Sequence, residues 1–319
     1  LKLLKQIGEI LSLILCFVAF DVTVYEAVTK RYINHTSEGM QAKSVELDKY
    51  LPFDDNSEIV RINSDLKLSG ELPVIDGAAA LYPVFSGFVN AVYPAESVHF
   101  DGENFTAESA LQYTNTRGAY KSVVDGTADI IFCAKPSAEQ LAYAEENQVE
   151  LEFIPVGSEA FVFLVNADNP VDDLTLEQVM GIYAGEYTKW SEVGGDDTFI
   201  EPLQRNEGSG SQTAMLSLMN GKEMKKHPLG FIGRSIGFSF RYYVEGIVGN
   251  GGVKMLSLNG AYPDRENIQN RSYPIVSNFY AVYDKNNPNP NIQVFLDWIL
   301  SDEGQEIVEK SGYVAVKSS

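Results

Sequence analysis

The chain is short of the residues that usually carry chemistry by themselves. Its 319 residues include two cysteines, Cys16 and Cys133, too few for a disulfide framework. Both lie in apolar runs, so no bond between them is expected, and two cysteines fix no compartment. Three histidines, His35, His99 and His227, are scattered along the sequence. None has the close spacing to other ligands that a zinc site uses, so no metal, cofactor or catalytic residue is expected. Basic residues are scarce too: 24 Lys and Arg against 44 Asp and Glu leave a formal charge of −20. A nucleic-acid partner needs a basic face to neutralise its phosphates, and this balance argues against one. A small buried anion stays open, because a buried site answers to its local dipoles and charges.

Long apolar runs are limited to residues 10–20, "ILSLILCFVAF", preceded by Lys2 and Lys5. This run is shorter than the ~20 residues that span a bilayer. Extending it to Ile7 and Val28 takes in Glu9, Asp21 and Glu26. Two readings stay open: a buried helix, or an uncleaved signal-anchor with the remainder exported by the positive-inside asymmetry. No small-residue cleavage site follows the run, and Leu15 is too bulky for the position before a lipoprotein cysteine. Residues 1–33 are therefore expected as an N-terminal apolar helix and possible membrane anchor. Residues 34–71 are polar and mixed, and are expected as a stalk or linker.

The remaining composition, 45% hydrophobic and 21% charged overall, is that of a folded globular protein. Its length suits two domains of roughly 100–200 residues. From Pro73 strands alternate with helices. "LPVIDG" reads as a strand, and "AAALYPVFSGFVNAVYP" sets Leu81, Val84, Phe85, Phe88, Val89 and Val92 on one helical face. "SVHF" reads as a strand, "GAYKSVVDG" as a helix, and "ADIIFCA" as a buried strand. "LEFIPVGSEAFVFLVNADNP" reads as two strands around a turn, and "LTLEQVMGIYAG" as a helix. "SIGFSF", "VKMLSLNG" and "YPIVSNFYAVYD" read as strands, and "NIQVFLDWILSDEGQEIVEKSG" as one or two closing helices. The alternation predicts an α/β fold with largely parallel sheets.

Three places share a small-residue turn that runs straight into a helix: "DGAAAL" (76–81), "NTRGAYK" (115–121) and "NEGSGSQ" (206–212). The first turn of a helix leaves backbone N–H groups unpaired at the positive end of its dipole, which suits an anion. One such turn reads equally as plain capping. Three of them, one beside Arg205, suggest a shared oxyanion site. Arg205 adds a planar fork of donors. Glu207 is expected to orient that guanidinium, with a surface ion pair as the alternative.

The stretches "VNADNPVDDLTLEQVMGIYAGEYTKWSEVGG", "RNEGSGSQT", "IGFSFRYY" and "FLDWILSDEGQEIVEKSGYVAV", in that order, resemble the phosphate-binding proteins of bacterial ABC importers. The likeness covers about residues 72–319. It implies a two-lobed periplasmic-binding-protein fold of type II with a ligand cleft between the lobes. Lobe 1 would be 72–156 with 262–319, and lobe 2 would be 157–261. The family's Arg-x-Asp-Gly-Ser-Gly-Thr turn matches Arg205, Glu207, Gly208, Ser209, Gly210 and Ser211, with Glu for Asp and Ser for Thr. The hydroxyl of its second turn matches Thr116. At the first turn a family Thr or Ser is replaced, so Ala79 and Ala80 offer backbone N–H groups alone. The family's ligand-contacting Asp, which accepts the proton of hydrogen phosphate, falls at Ala134. With Arg117 and Lys135 near the aligned positions, a site more positive than the family norm is expected, with no visible means of rejecting sulfate.

The resemblance implies capture of phosphate or a related oxyanion by lobe closure and delivery to ABC permease subunits, at the extracytoplasmic face of the bacterial cell membrane, or secreted or periplasmic if the N-terminus is cleaved. Membrane attachment would come from the N-terminal helix. Two other classes stay open: an anion sensor or surface-interaction protein with a degenerate site, and a phosphate-ester hydrolase.

Overall fold

The structure, a computed structural model, describes residues 12–13, 15–26, 45–227, 229–248 and 252–316. Its first helix, α1, covers residues 15–26 and leaves Phe17, Phe20 and Tyr25 more than 60% exposed. The buried-helix reading is thus corrected for this part; residues 1–11, 14 and 27–33 lie outside the described residues. No described helix is long and apolar enough to cross a membrane.

The stalk expected over 34–71 is also corrected where it is described. Val45, Tyr50, Ile59 and Leu68 are buried against the first hydrophobic core. Leu68 N–H donates to the Val92 carbonyl at 2.8 Å, and the Tyr82 hydroxyl donates to the Leu47 carbonyl at 3.2 Å. A few well-spaced apolar residues suffice to strap a polar segment onto a core, and such spacing has no helix or strand period to detect. Residues 34–44 lie outside the described residues.

Beyond this strap, β1 (Ile75–Gly77) leads through a 3₁₀ turn at Ala79–Leu81 into α2 (Tyr82–Val92). Pro83 sits in the first turn of α2, where its missing N–H removes no helical bond. Next come α3 (Asn115–Val124), β2 (Ile130–Cys133) and α4 (Ala138–Glu146). α4 was not among the expected elements, although Ser137 and Gln140 form a capping box at its start. "SVHF" is not a sheet strand: it supplies a single bridge between Phe100 and Phe105.

The expected pair of strands around a turn is one continuous strand, β3 (Leu151–Asn166). Its glycine makes a bulge instead, with the register shifting between Pro155 and Gly157. A Cβ on Gly157 would lie 2.6 Å from the Phe279 ring, so the missing side chain is what lets that ring pack there. The chain continues with β4 (Asp173–Leu174), α5 (Leu176–Ala184), β5 (Ile200–Pro202) and α6 (Gly210–Met219). Then come β6 (Arg234–Phe240), a π-helical turn at Tyr243–Val248, β7 (Val253–Met255) and β8 (Ser257–Leu258). It closes with α7 (Arg265–Gln269), β9 (Val276–Asp284), α8 (Asn291–Leu300), α9 (Asp302–Lys310) and β10 (Val314–Ala315).

The main sheet runs β1-β2-β9-β3-β6-β5, with β7 and β10 also paired to β3. β1–β2 and β5–β6 are parallel, as are β4–β8 apart from it. The pairs β2–β9, β3–β9, β3–β6, β3–β7 and β3–β10 are antiparallel. The expectation of largely parallel sheets is therefore corrected. Periodicity locates a strand but not the segment that comes back beside it.

Strand β3 pairs with β9 over Leu151–Ala160 and with β6 over Phe161–Val165. It thereby runs from one hydrophobic core into another. On the first side Phe85 stacks on Phe132 at 5.6 Å, and Phe88 meets Trp298 edge-on at 6.0 Å. The opposite face of that sheet region buries Tyr120, Ile131, Cys133 and Val282. On the far side Phe161, Phe163, Tyr183, Trp190 and Phe238 form a separate cluster. Fully burying a large apolar side chain contributes about 1.5–3 kcal/mol, and each cluster buries several.

Candidate functional site

The helix starts of α2, α3 and α6 meet at one cleft of ≈ 260 Å³. Ala79, Ala80, Thr116, Arg117, Arg205, Glu207, Ser209, Gly210 and Ser211 all border it. Lys135 does not: it is exposed and outside the lining. Of the residues predicted from the sequence, Lys135 is the one that the fold leaves out.

At the first turn, Ala78 N–H donates to the Phe132 carbonyl at 2.9 Å, and the Tyr313 hydroxyl donates to the Ala80 carbonyl. At the second, Asn115 takes a left-handed conformation with φ of 67°, which asparagine tolerates better than most residues. Thr116, next in line, is buried against the cleft. The buried Asp76 carboxylate ties these two turns together, accepting from Gly77 N–H at 2.7 Å and from Thr114 N–H at 2.8 Å.

The third turn answers the choice between capping and ligand binding, because it does the first and remains suited to the second. Ser209 Oγ accepts Gln212 N–H at 3.2 Å, and Gln212 Oε1 accepts Arg205 N–H at 2.8 Å. Capping uses a lone pair of Ser209 and leaves its proton to donate. Gly208 supplies the left-handed φ of 76° that the turn requires. The second and third turns nearly touch: a Cβ on Gly210 would stand 3.4 Å from Thr116 Oγ1. Gln140 Nε2 also reaches across from α4 to the Gly208 carbonyl at 3.4 Å. Among the described residues, the backbone N–H groups of Ala79, Ala80, Thr116, Gly210 and Ser211 have no hydrogen-bond acceptor in the protein.

Arg205 is positioned differently from expectation. It makes no ion pair with Glu207 among the described residues; Glu207 is exposed. The guanidinium lies over the Tyr243 ring, 5.6 Å from its centroid, within the range of a cation–π contact. Arg117 sits at the rim, where its side chain is 73% exposed and 3.7 Å from Glu139, a pair worth ~0–1 kcal/mol.

Besides its two arginines the cleft holds a carboxyl that was not expected there from the sequence. Ala134 borders it without a carboxylate, its carbonyl taken by the Tyr120 hydroxyl at 2.6 Å. Glu159, in the middle of β3, supplies a carboxyl instead. Burial pushes its pKa up to about 8, against the smaller opposing effects of the Tyr242 N–H bond and the Arg241 charge. Ser239, Ser277 and Asn278 also line the cleft. These residues were missed, though a signal existed. Each is a polar residue inside an otherwise apolar strand run, as in "VGSEAFVFLVN" and "PIVSNFYAVY", and buried polar groups are the informative exceptions in a core.

Two hydrophobic cores, strands passing from one to the other, and helix starts facing a shared cleft define a two-lobed periplasmic-binding-protein fold. The chain belongs to the PBP superfamily, whose domain model matches residues 74–303. The phosphate-binding protein PstS of Borreliella burgdorferi is 27% identical over 214 residues, covering 61% of this chain and 76% of that protein. PstS of Bacillus subtilis is 25% identical over 264 residues, covering 78% and 82%. Among solved structures, one from Clostridium perfringens, described as a phosphate ABC transporter substrate-binding protein with bound phosphate, aligns at a TM-score of 0.54. It is 24% identical, and the alignment covers 76% of this chain and 98% of that one.

Proposed function

We propose that the protein captures inorganic phosphate, or a closely related oxyanion, in this cleft for delivery to an ABC importer. One observation carries the reading: five residues from three helix starts whose backbone N–H groups have no acceptor of their own line a space shared with Arg205. A tetrahedral oxyanion supplies charged acceptor oxygens in four directions around one centre, whereas the two of a carboxylate lie in one plane and those of a neutral sugar carry no charge. The dipoles of three helices add to the guanidinium charge, so the local field opposes the net charge of −20. Two relatives named for phosphate binding support the ligand.

The first lobe comprises residues 45–156 with 277–316 and the second 161–276; the boundary expected at 262 moves to the start of β9 because Ile268 and Tyr273 are buried in the second core. The crossing lies near Glu159–Phe161, where β3 changes partner from β9 to β6. Closure about this crossing brings α6 against α3 and buries the ligand. The mechanism is binding and release without turnover. The exposed apolar side chains of α1 support attachment at the extracytoplasmic face of the membrane, beside the permease subunits.

Titration calorimetry of the full chain with phosphate tests the reading, and a saturable one-to-one isotherm is expected. No heat of binding together with turnover of a generic phosphate ester would replace it with hydrolysis. Absence of both would leave a degenerate anion site.

A further inference from the structure

We infer that Tyr313 is a positioning residue of the cleft: from near the end of the chain its hydroxyl fixes the first turn, residues 78–81, where that turn can offer its N–H groups to the anion. The inference rests on the proposed oxyanion site and adds to it a residue that does not line the cleft. Of the three turns, the first has the fewest means of holding itself. Neither its 3₁₀ segment nor α2 has a side-chain cap, and Ala78, Ala79 and Ala80 give it no polar side chain. By contrast, Ser209 caps the third turn. The Asp76 carboxylate holds the entry to the second at Thr114, but reaches only Gly77 N–H before the first.

The first turn is held from outside. Ala78 N–H donates to the Phe132 carbonyl of β2, and the Tyr313 hydroxyl donates to the Ala80 carbonyl. Tyr313 is itself a fixed point. It is 1% exposed, and its ring centroid lies 4.7 Å from that of Tyr242 and 5.0 Å from that of Phe279. Its N–H donates to the Val308 carbonyl of α9 at 3.2 Å. The next two residues, Val314 and Ala315, pair with Ser158 and Gly157 of β3. Burial pushes its phenol pKa up, so the donated proton is retained through the neutral range.

A side-chain hydroxyl can rotate to meet its ligand, whereas a backbone N–H moves only with its turn. A turn that binds through backbone alone therefore depends on being held in place beforehand. Without the phenol the Ala80 carbonyl loses its side-chain donor, and the N–H groups of Ala79 and Ala80 are free to drift from the shared space. The anchor also stands where the chain crosses between lobes. Tyr242, against its ring, follows directly on β6, and the Gly312 carbonyl accepts Arg241 Nη1 at 3.4 Å.

The test is calorimetry of the full chain with phosphate, comparing the wild type with Tyr313→Phe, which keeps the ring and removes the donor. The variant should bind ~3–10-fold more weakly, the equivalent of one hydrogen bond. Phe163→Leu, in the second core, controls for stability alone: it should lower the melting temperature at least as much, yet keep its affinity within about twofold. In the unliganded Tyr313→Phe protein, hydrogen exchange should quicken at Leu81 N–H, which donates to the Ala78 carbonyl at 3.0 Å, and stay unchanged in α6. Wild-type affinity in Tyr313→Phe, an equal loss in Phe163→Leu, or unchanged exchange at Leu81 would overturn the assignment while phosphate binding stands. No phosphate binding by the wild type would overturn the oxyanion site itself. If Tyr313→Phe folds poorly, a fluorinated tyrosine at position 313, which keeps the hydroxyl, decides the matter. Its fluorine resonance should shift as phosphate saturates the cleft, and an unmoved resonance would overturn the assignment.

Discussion

Asp76 holds Thr114 by two bonds at once: Oδ1 accepts the backbone N–H at 2.8 Å and Oδ2 accepts the hydroxyl at 2.5 Å. The same Oδ1 takes Gly77 N–H at 2.7 Å. One carboxylate at the end of β1 therefore fixes the entry to α2 and the entry to α3 relative to each other. Burial raises its pKa in spite of these bonds, so the group stays in place at some energetic cost. Asp76→Ala leaves two backbone donors unmet, at about 1–3 kcal/mol for each that stays buried. Urea unfolding should show that loss, and calorimetry a weaker phosphate isotherm. Asp76→Asn, which keeps an acceptor oxygen, should lose less on both measurements.

Arg205→Ala should weaken phosphate binding by ~2–5 kcal/mol, the range for truncating one member of a buried charged pair. Arg205→Lys should recover only part of this, because an ammonium cannot present a planar fork of donors. Unchanged affinity in Arg205→Ala, measured by calorimetry, would remove Arg205 from the site.

Gln140 bridges α4 and the Gly208 turn through Nε2 at 3.4 Å while its Oε1 caps α4 by accepting Ser137 N–H at 2.8 Å. Gln140→Glu keeps the capping acceptor and deletes the bridging donor. Its thermal stability should fall by less than about 1 kcal/mol, the value of one ordinary hydrogen bond. Solution scattering should nevertheless show a larger radius of gyration in the unliganded protein. Equal radii for the two proteins would mean that this contact does not hold the lobes together.

Glu159 also makes a prediction about stability. Its folded-state pKa, about 8, lies above the unfolded value of 4.5, so between these limits the folded chain binds the extra proton. Stability from this group is complete below about pH 4.5 and is lost as pH rises toward about 8. The loss is on the order of 4–5 kcal/mol if the full shift is expressed. Urea midpoints at the two ends of this window should differ less in Glu159→Gln than in the wild type. An identical difference would mean that Glu159 does not carry the proton.

Much of the site was legible in the sequence because a helix start is a local feature. Small residues before an apolar period mark it, and Ala79, Thr116 and Gly210 all stand at such starts. The alternation of strands and helices was legible for the same reason. What escaped was whatever depends on distant partners. Gly157 looks like a turn residue, yet becomes a bulge because β9 lies alongside with Phe279 pressed against it. Glu207 looks like the partner of Arg205, yet Tyr243, brought up by the π-helical turn after β6, receives the guanidinium.

The sequence by itself determined that helices would begin with unpaired N–H groups at three glycine-, serine- or alanine-rich turns, since a first turn has no preceding carbonyls to accept them. It also determined that an arginine would stand beside one of them. Only the tertiary structure decided that the three turns face one space and that the carboxyl entering it belongs to Glu159. Convergence is set by long-range strand pairing and core packing, and burial, which raises the affinity of Glu159 for its proton, exists only once both cores have closed around β3.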